Sequence, residues 1–373
     1  MTKSHHEMLR TQSIVIAAGG TGGHVFPGLA VARLLKKEGY CVHWMGTLAG
    51  LEVEQVPKAG FIFHPISVRG LRGKGWVRRL TGFYQLVLAT WQSVCLLRKI
   101  QPIGVLGLGG FVAGPVGFAS WILNIPLVIH EQNAVAGMTN RLLAFFARRI
   151  LTAFPAAFKR PAWLKKVQLL GNPLREEILN TALPEQRWLS HEGALRLLIV
   201  GGSLGAQVLN EVLPKAVAQL PLEQRPTIIH QTGKNHWQTT EALYAQQGVS
   251  AQVKPFLADM AEVYAWADLV ICRAGALTVS ELAAVGVGAV LIPFPLAVDD
   301  HQTKNADFLV AAGAACMIPQ RDLTPSLLAQ CLSGALSQRA YLLTMAQAAR
   351  KLARLHATDE VTAAFLEVCC DKK

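Results

Sequence analysis

Short β-branched runs alternate along the chain with stretches whose apolar residues recur at helical spacing. In the first half the runs are SIVIAAGG, CVHWMG, FIFHPIS, GVLGLGG and PLVIHEQ; in the second they are RLLIVGGS, PTIIHQTG, AQVKPFL, DLVICRAG and AVLIPFP. Alternation of strand and helix signals predicts parallel sheets covered by helices, the α/β class. The pattern also restarts. RLLIVGGSLGAQVLNEVL repeats the strand, Gly-Gly loop and helix of SIVIAAGGTGGHVFPGLAVARLL, so two Rossmann-like parallel-sheet domains are expected in tandem, as the length of 373 residues also suggests.

The periodicity breaks in FPAAFKRPAWLKKVQLLGNPLREEIL, where prolines, lysines and a Gly-Asn-Pro turn intervene. The expected hinge is Asn172-Pro173, giving an N-terminal domain of residues 1–172 and a C-terminal domain of residues 173–355. Helical patterns run from about Leu323 to the end, and fold analogy packs the last of them, residues 356–373, back on the first domain. One segment mimics a membrane span: residues 103–129 carry no charge and are long enough to cross a bilayer. Six glycines and two prolines divide it into strand, loop, short helix and strand, the buried middle of an α/β domain with a tryptophan-tipped helix that could touch lipid.

Composition narrows the partners. Lys and Arg total 36 against 24 Asp and Glu, a formal charge of +12, so an anionic partner is expected: nucleic acid, anionic lipid or a phosphorylated metabolite. The chain lacks an RNP-type aromatic strand and a clear recognition helix, which sets nucleic acid aside. With 51% hydrophobic and 16% charged residues it reads as a globular enzyme rather than a disordered chain. Its seven cysteines show no Cys-x-x-Cys spacing and read as buried thiols of a reducing cytosol. Residues 1–11 are polar, include His5-His6, and carry no legible secretory signal.

The chemistry concentrates at glycine-rich strand ends. A strand that ends in glycines and feeds a helix presents backbone N–H groups at a positive dipole end, which makes a phosphate site; the plainer reading is a tight turn. Here such loops recur at residues 19–23, 107–114 and 201–205 and at Gly275. A dinucleotide site is not expected, because Val25 takes the third glycine position after Gly20 and Gly22 and CVHWMGT ends without an acid. Walker A fails as well, since Gly233-Lys234 is followed by Asn235. No Asp-x-Asp occurs and no His and carboxylate cluster has metal spacing, so neither a metal nor another cofactor is expected. In CRAGALTVSELAAVG, Gly275 ends a strand, small residues open a helix, and Glu281 follows about a turn later. A diphosphate on those N–H groups would leave the carboxylate to accept both hydroxyls of a ribose. FPLAVDDHQTKNADFL adds Asp300, Gln302 and Asn305, suited to sugar hydroxyls or, more plainly, to a helix cap and its first turn.

The motifs GGTGGHVFPGLA, GLGGFVAGP, HEQNAVAGMTNRLLA, GNPLR, GGSLGAQ, ALTVSELA and DDHQTKNA stand in the order found in the bacterial N-acetylglucosaminyltransferases of peptidoglycan synthesis. The chain resembles that family over nearly its whole length. The resemblance implies a GT-B glycosyltransferase, two Rossmann-like domains facing a cleft. Members move N-acetylglucosamine from its uridine diphosphate (UDP-GlcNAc) to the C4 hydroxyl of the muramoyl sugar of lipid I, undecaprenyl-pyrophosphoryl-N-acetylmuramoyl-pentapeptide, giving lipid II. By similarity, the donor-binding positions are Thr21, Gly22, Gly23, Asn133, Arg175, Ser203, Leu257, Ala276, Leu277, Thr278, Val279, Ser280, Glu281 and Gln302. Leu257 would read uracil through its backbone, and Glu281 would hold the ribose. The chain departs from the family pattern at Phe111, Ala113, Ala274 and Gly288, where tyrosine, serine, serine and proline are usual.

Inversion at the anomeric carbon needs one in-line displacement, with a base on the acceptor hydroxyl. His24, at the end of the opening glycine loop, is the candidate base or its positioner, because histidine titrates near neutral pH. Glu131 is the rival base, and a helix N-terminal histidine that merely bonds phosphate or backbone is the plainer alternative. Gly109 and Gly110 join the opening loop on the acceptor side. A lipid acceptor implies peripheral attachment to the cytoplasmic face of the inner membrane. Arg69, Arg72, Lys74, Arg78 and Arg79, with Trp76, stand before or in the first turn of a helix whose Phe83, Leu86, Val87, Thr90, Val94 and Leu97 are expected to share one face, most of it core. Such a basic-aromatic stretch suits an anionic leaflet. The expected partners are therefore UDP-GlcNAc, lipid I and an anionic membrane surface, with no nucleic acid. A UDP-sugar epimerase of the same double layout is the alternative, and it would turn over donor without acceptor.

Overall fold

The computed structural model describes residues 12–68, 76–189, 193–202 and 205–371. The chain divides into two compact units: one takes the chain up to Arg175 together with the segment from Leu355, the other spans Glu176–Arg354.

The first unit holds a parallel sheet of seven strands: β1 (Ser13–Ala17), β2 (Cys41–Gly46), β3 (Ile62–Pro65), β4 (Val105–Gly107), β5 (Leu127–Glu131), β6 (Arg149–Thr152) and β7 (Val167–Leu169). Their order in space is β3-β2-β1-β4-β5-β6-β7, with Val15 opposite Val105 and Ala17 opposite Gly107. β1 reads as an unbroken apolar run because both of its faces are covered. Ile14 and Ile16 join the core formed with Leu29, Trp44 and Phe365, while Val15 and Ala17 point the other way, into the core of Val116, Ile129 and Leu143. The C-terminal helix Ala357–Cys370 belongs to this unit. It packs on the helix Gly22–Lys37 through Val361, Phe365 and Val368, and Arg149 ties it down by donating to the Ala364 carbonyl and pairing with Glu367.

The second unit repeats the arrangement with six strands, β8 (Arg196–Val200), β9 (Thr227–Gln231), β10 (Gln252–Lys254), β11 (Leu269–Cys272), β12 (Gly288–Leu291) and β13 (Ala315–Met317), ordered β10-β9-β8-β11-β12-β13. In each sheet the chain order reverses beside the first strand, between β1 and β4 and between β8 and β11. Crevices for ligands open at such switch points, at the carboxyl ends of the strands. The glycine loops lie there.

Residues 103–129 form β4, the helix Gly110–Ile122 and β5. Among the described residues no helix is long and apolar enough to cross a membrane.

Two expectations need correction. The helix Trp76–Ile100 buries only part of the stripe anticipated for it: Leu97 is buried and Val94 packs against the core, joined by Ala89 and Ser93, whereas Val87 is 50% exposed beside Tyr84, Leu88 and Trp91. Small residues set this face. Ala89 and Ser93 allow close packing, and Ser93 returns its hydroxyl to the Ala89 carbonyl at 2.7 Å, so a pattern of large apolar residues alone leaves out part of the inward face. The cysteines are not uniformly buried either, for Cys272 is buried but Cys95 and Cys370 are exposed. His5, His6, Arg69, Arg72 and Lys74 lie outside the described residues, as do the side chains of Trp76, Arg78, Arg79 and Phe83.

Candidate active site

In the first unit the loops after β1 and β4 touch. A Cβ on Gly110, where φ is +77°, would stand 2.3 Å from the Gly19 carbonyl oxygen, so only glycine permits this approach. The helix Gly22–Lys37 begins directly after the loop, with extended Thr21 as its N-cap. The Thr21 carbonyl accepts the N–H groups of His24 and Val25 at 3.1 and 3.3 Å. Gly22 and Gly23 occupy the first turn, where N–H groups have no intrahelical acceptor. His24 packs its ring over the second loop: a Cβ on Gly109 would lie 3.1 Å from His24 Nε2.

The loop is shaped from below by a residue that sequence reasoning missed. Glu52 is completely buried. Its carboxylate accepts the Gly20 N–H at 2.9 Å, the Thr47 N–H at 2.9 Å and the Thr47 hydroxyl at 2.7 Å. Arg175 belongs to the same unit, its guanidinium 5.4 Å from the Phe26 ring centroid, and the Phe26 ring lies against Gly22.

Glu131, at the end of β5, is 2% exposed and heavily bonded. Oε1 accepts from the Asn133 N–H and side-chain amide at 3.0 and 3.1 Å; Oε2 accepts from the Gly137 N–H at 3.0 Å and Asn140 Nδ2 at 2.9 Å. This carboxylate organises residues 131–140. Next to it, His130 Nε2 meets the Gly171 carbonyl at 2.9 Å, and complete burial lowers the ring to about 4 against the opposing pull of that carbonyl and of Glu131.

In the second unit a cavity of about 520 Å³ opens at the switch point, lined by Gly201, Gly205, Arg273, Phe294, Gln302 and Gln320 among others. Ser203 falls outside the described residues. The loop after β8 is held by Gln231, which donates to the Gly202 carbonyl at 2.9 Å and accepts the Leu257 N–H at 3.2 Å. The Leu257 N–H is thus engaged. Arg273 bonds the carbonyls of Ile292 and Pro293 and stacks over Phe294, and Gln302 Oε1 accepts the Phe294 N–H at 2.9 Å.

The helix Ala276–Val285 starts after extended Gly275 and carries Leu277, Thr278, Val279 and Ser280 in its first two turns. Ser280 returns its hydroxyl to the Ala276 carbonyl at 3.0 Å. Glu281 is 5% exposed and close to Cys272, whose thiol burial and the Glu281 charge together push up to about 12. Asn305, anticipated at sugar hydroxyls, is wholly buried and donates to the Ala274 carbonyl at 3.1 Å. Asp300 instead accepts the Thr303 hydroxyl at the start of the next helix. Among the described residues no group of three His, Cys, Asp or Glu side chains could hold a metal ion.

Two glycine-loop sites on two Rossmann-like sheets match known proteins end to end. The glycosyltransferase family 28 N-terminal domain matches residues 14–152, and the family 28 C-terminal domain residues 196–361. A relative from Nitrosococcus oceani, a UDP-N-acetylglucosamine--N-acetylmuramyl-(pentapeptide) pyrophosphoryl-undecaprenol N-acetylglucosamine transferase, is 51% identical over 355 residues, 95% of this chain and 98% of its own length. The chain belongs to this transferase family. The crystal structure of Acinetobacter baumannii MurG has a TM-score of 0.83 at 41% identity, covering 95% of this chain and 99% of that one. The transferase thus has the GT-B fold. A UDP-N-acetylglucosamine 2-epimerase structure is only 12% identical, with a TM-score of 0.65 over 94% of each chain; this likeness is one of fold alone.

Proposed function

We infer that the protein transfers N-acetylglucosamine from UDP-GlcNAc to lipid I, making lipid II for peptidoglycan. It is a UDP-GlcNAc-dependent hexosyltransferase. The first unit takes the acceptor and the second the donor. The observation that carries the site reading is the seat of His24, a titratable ring between the two touching glycine loops of the first unit.

In this reading the acceptor diphosphate lies along Gly22, Gly23, Gly109 and Gly110, and His24 takes the proton of the muramoyl C4 hydroxyl as that oxygen attacks the anomeric carbon. The carbon–oxygen bond to UDP breaks on the opposite face, so configuration inverts in one step. Glu131 serves as an organiser of the adjoining loop, because its four hydrogen bonds occupy the lone pairs a base would need. The donor diphosphate sits at the start of the helix Ala276–Val285, where the dipole and N–H groups stabilise the leaving charge. Glu281 holds the ribose, the Leu257 carbonyl meets uracil, and Gln302 and Arg273 border the sugar. Asn133 and Arg175 join the donor set from the first unit by similarity. Transfer proceeds without a metal.

The protein works as a peripheral enzyme on the cytoplasmic membrane face. Support comes from the exposed Tyr84, Val87, Leu88 and Trp91 on the helix Trp76–Ile100 and Trp121 and Ile122 on its neighbour Gly110–Ile122.

The test is UDP release from UDP-GlcNAc in the presence of a chelator, with and without a short-chain lipid I analogue. Release that requires acceptor supports the metal-independent transferase. Release or sugar isomerisation without acceptor overturns it.

A further inference from the structure

Two thiols meet at the edge of the second unit's sheet. β13 is the last strand of that sheet, and its Cys316 stands opposite Val290 of β12. Val290 belongs to the core that Leu328 and Leu332 of the helix Pro325–Leu336 complete. Cys316, from the strand, and Cys331, from the helix, both pack against this core, and each is only half-buried. Cys331 follows buried Leu328 and exposed Leu327 by one turn, so it sits on the border of the helix's apolar face.

The Cys316 sulfur is hydrogen-bonded to the Cys331 thiol and to the Tyr341 hydroxyl. Tyr341 stands in the first turn of the next helix, Arg339–Lys351, and is 43% exposed, so small solutes reach the rim of the cluster. These contacts set the two sulfurs apart. The hydrogen bond from Cys331, aided by that from Tyr341, lowers the Cys316 thiol against its partial burial, whereas the same contact and burial push the Cys331 thiol up. A stabilised thiolate is a nucleophile, and a protonated thiol in contact with it is placed to resolve whatever it forms. Elsewhere, burial above all pushes Cys272 and Cys369 up to about 12, which keeps those thiols protonated and slow.

We propose that Cys316 and Cys331 form a modification site for hydroperoxides, with Cys316 as the attacking sulfur and Cys331 as the resolving one. The Cys316 thiolate attacks one peroxide oxygen; a sulfur–oxygen bond forms, the oxygen–oxygen bond breaks, and hydroxide leaves and takes up a proton to become water. Cys316 is then a sulfenic acid, oxidised by two electrons. The Cys331 sulfur attacks it, the sulfur–sulfur bond forms, and the hydroxyl departs with the Cys331 proton as a second water. The link closes a ring of chain that includes Gln320, which lines the cavity of the proposed donor site.

The test treats the full chain with equimolar hydrogen peroxide, blocks the remaining thiols and maps the peptides by mass. Wild type should lose the mass of two hydrogens and yield a linked pair of peptides, Cys316 with Cys331, that dithiothreitol separates. Cys331→Ser should stop at a sulfenic acid on Cys316, captured by dimedone, whereas Cys316→Ser should give no dimedone adduct on Cys331. The proposal is overturned if wild type forms no link between Cys316 and Cys331, if exposed Cys95 or Cys370 is oxidised first, or if Cys331 in Cys316→Ser takes dimedone as readily as Cys316 does in Cys331→Ser. The wild-type arm needs no substitution, so its result stands even if a variant fails to fold.

Discussion

The Glu52 carboxylate and the Gly20 N–H, 32 residues apart in sequence, are joined by a hydrogen bond of 2.9 Å beneath the opening glycine loop. The protein's own anion shapes this loop before any substrate arrives, and the Gly20 N–H is not left for a phosphate. Glu52→Gln turns one acceptor into a donor and sets it against the N–H of Gly20 or Thr47. Each buried donor left unsatisfied costs about 1–3 kcal/mol. A shift of the loop by about 1 Å costs on the order of 10²-fold in rate. The variant should be less stable by that amount and lose about 10²-fold in kcat/KM for the acceptor, with the Kd for UDP-GlcNAc unchanged. Steady-state kinetics with varied acceptor and calorimetric donor titration read the two effects; unaltered acceptor kinetics would show that loop shape is immaterial.

On the proposed mechanism, His24→Ala loses about 10²-fold or more in kcat, the contribution typical of a general base. A variant that keeps a tenth of wild-type turnover removes His24 from that role. Glu131→Gln serves as the contrast. Its effect should be structural, with lower thermal stability and a raised acceptor KM, and the wild-type pH dependence of kcat should persist, because the proton passes through His24.

Glu281 offers a cleaner test on the donor side. Hydrogen bonds to a charged group contribute about 1.5–3 kcal/mol, so Glu281→Gln should raise the KM for UDP-GlcNAc by about 10- to 100-fold. A 2′-deoxyribose donor should cost wild type a comparable factor and the variant little more. Additive losses from the two changes would mean that Glu281 acts elsewhere.

What could be read in advance was local. β1 and β8 are unbroken apolar runs that end in glycine, and Glu281 stands at a fixed distance from Gly275 along one helix; such relations hold within a single element. Glu52 lies in LEVEQVPKAG, and nothing nearby in the sequence says that its carboxylate turns inward to Gly20. Gln231 is equally plain at the end of β9, yet it bridges the Gly202 and Leu257 loops. Part of the inward face of the helix Trp76–Ile100 is illegible for a related reason: Ala89 and Ser93 carry little hydrophobic signal, and packing space rather than apolarity places them there.

Gly205 is a position where backbone and the proposed donor site meet. Its φ is +79°, and a Cβ there would stand 2.0 Å from the Thr232 carbonyl oxygen. The left-handed conformation alone costs a non-glycine residue about 1–2 kcal/mol, and the clash must push the loop after β8 away from the end of β9. Gly205→Ala should therefore lower the melting temperature and weaken UDP-GlcNAc binding together. Thermal shift with and without UDP measures both, and an alanine variant with wild-type donor stabilisation would disconnect this loop from the nucleotide.

His130 links the scaffold of the first unit to pH. The folded ring is neutral, lowered by burial from 6.5 to about 4. Between those values the unfolded chain binds the proton and the folded chain does not, so stability rises with pH across this window, is complete above about 6.5, and is lost as pH falls toward about 4. The full effect is on the order of 3 kcal/mol, at 1.36 kcal/mol per pH unit. His130→Gln can still donate to the Gly171 carbonyl but cannot titrate, so urea unfolding at about pH 5 and about pH 7.5 should show a pH slope smaller by up to one proton's worth. His230, also buried and lowered to about 3, retains its own share of the slope in that variant. An undiminished slope would mean that His130 is already protonated in the folded protein, and its bond to the Gly171 carbonyl would then carry a cation next to Glu131.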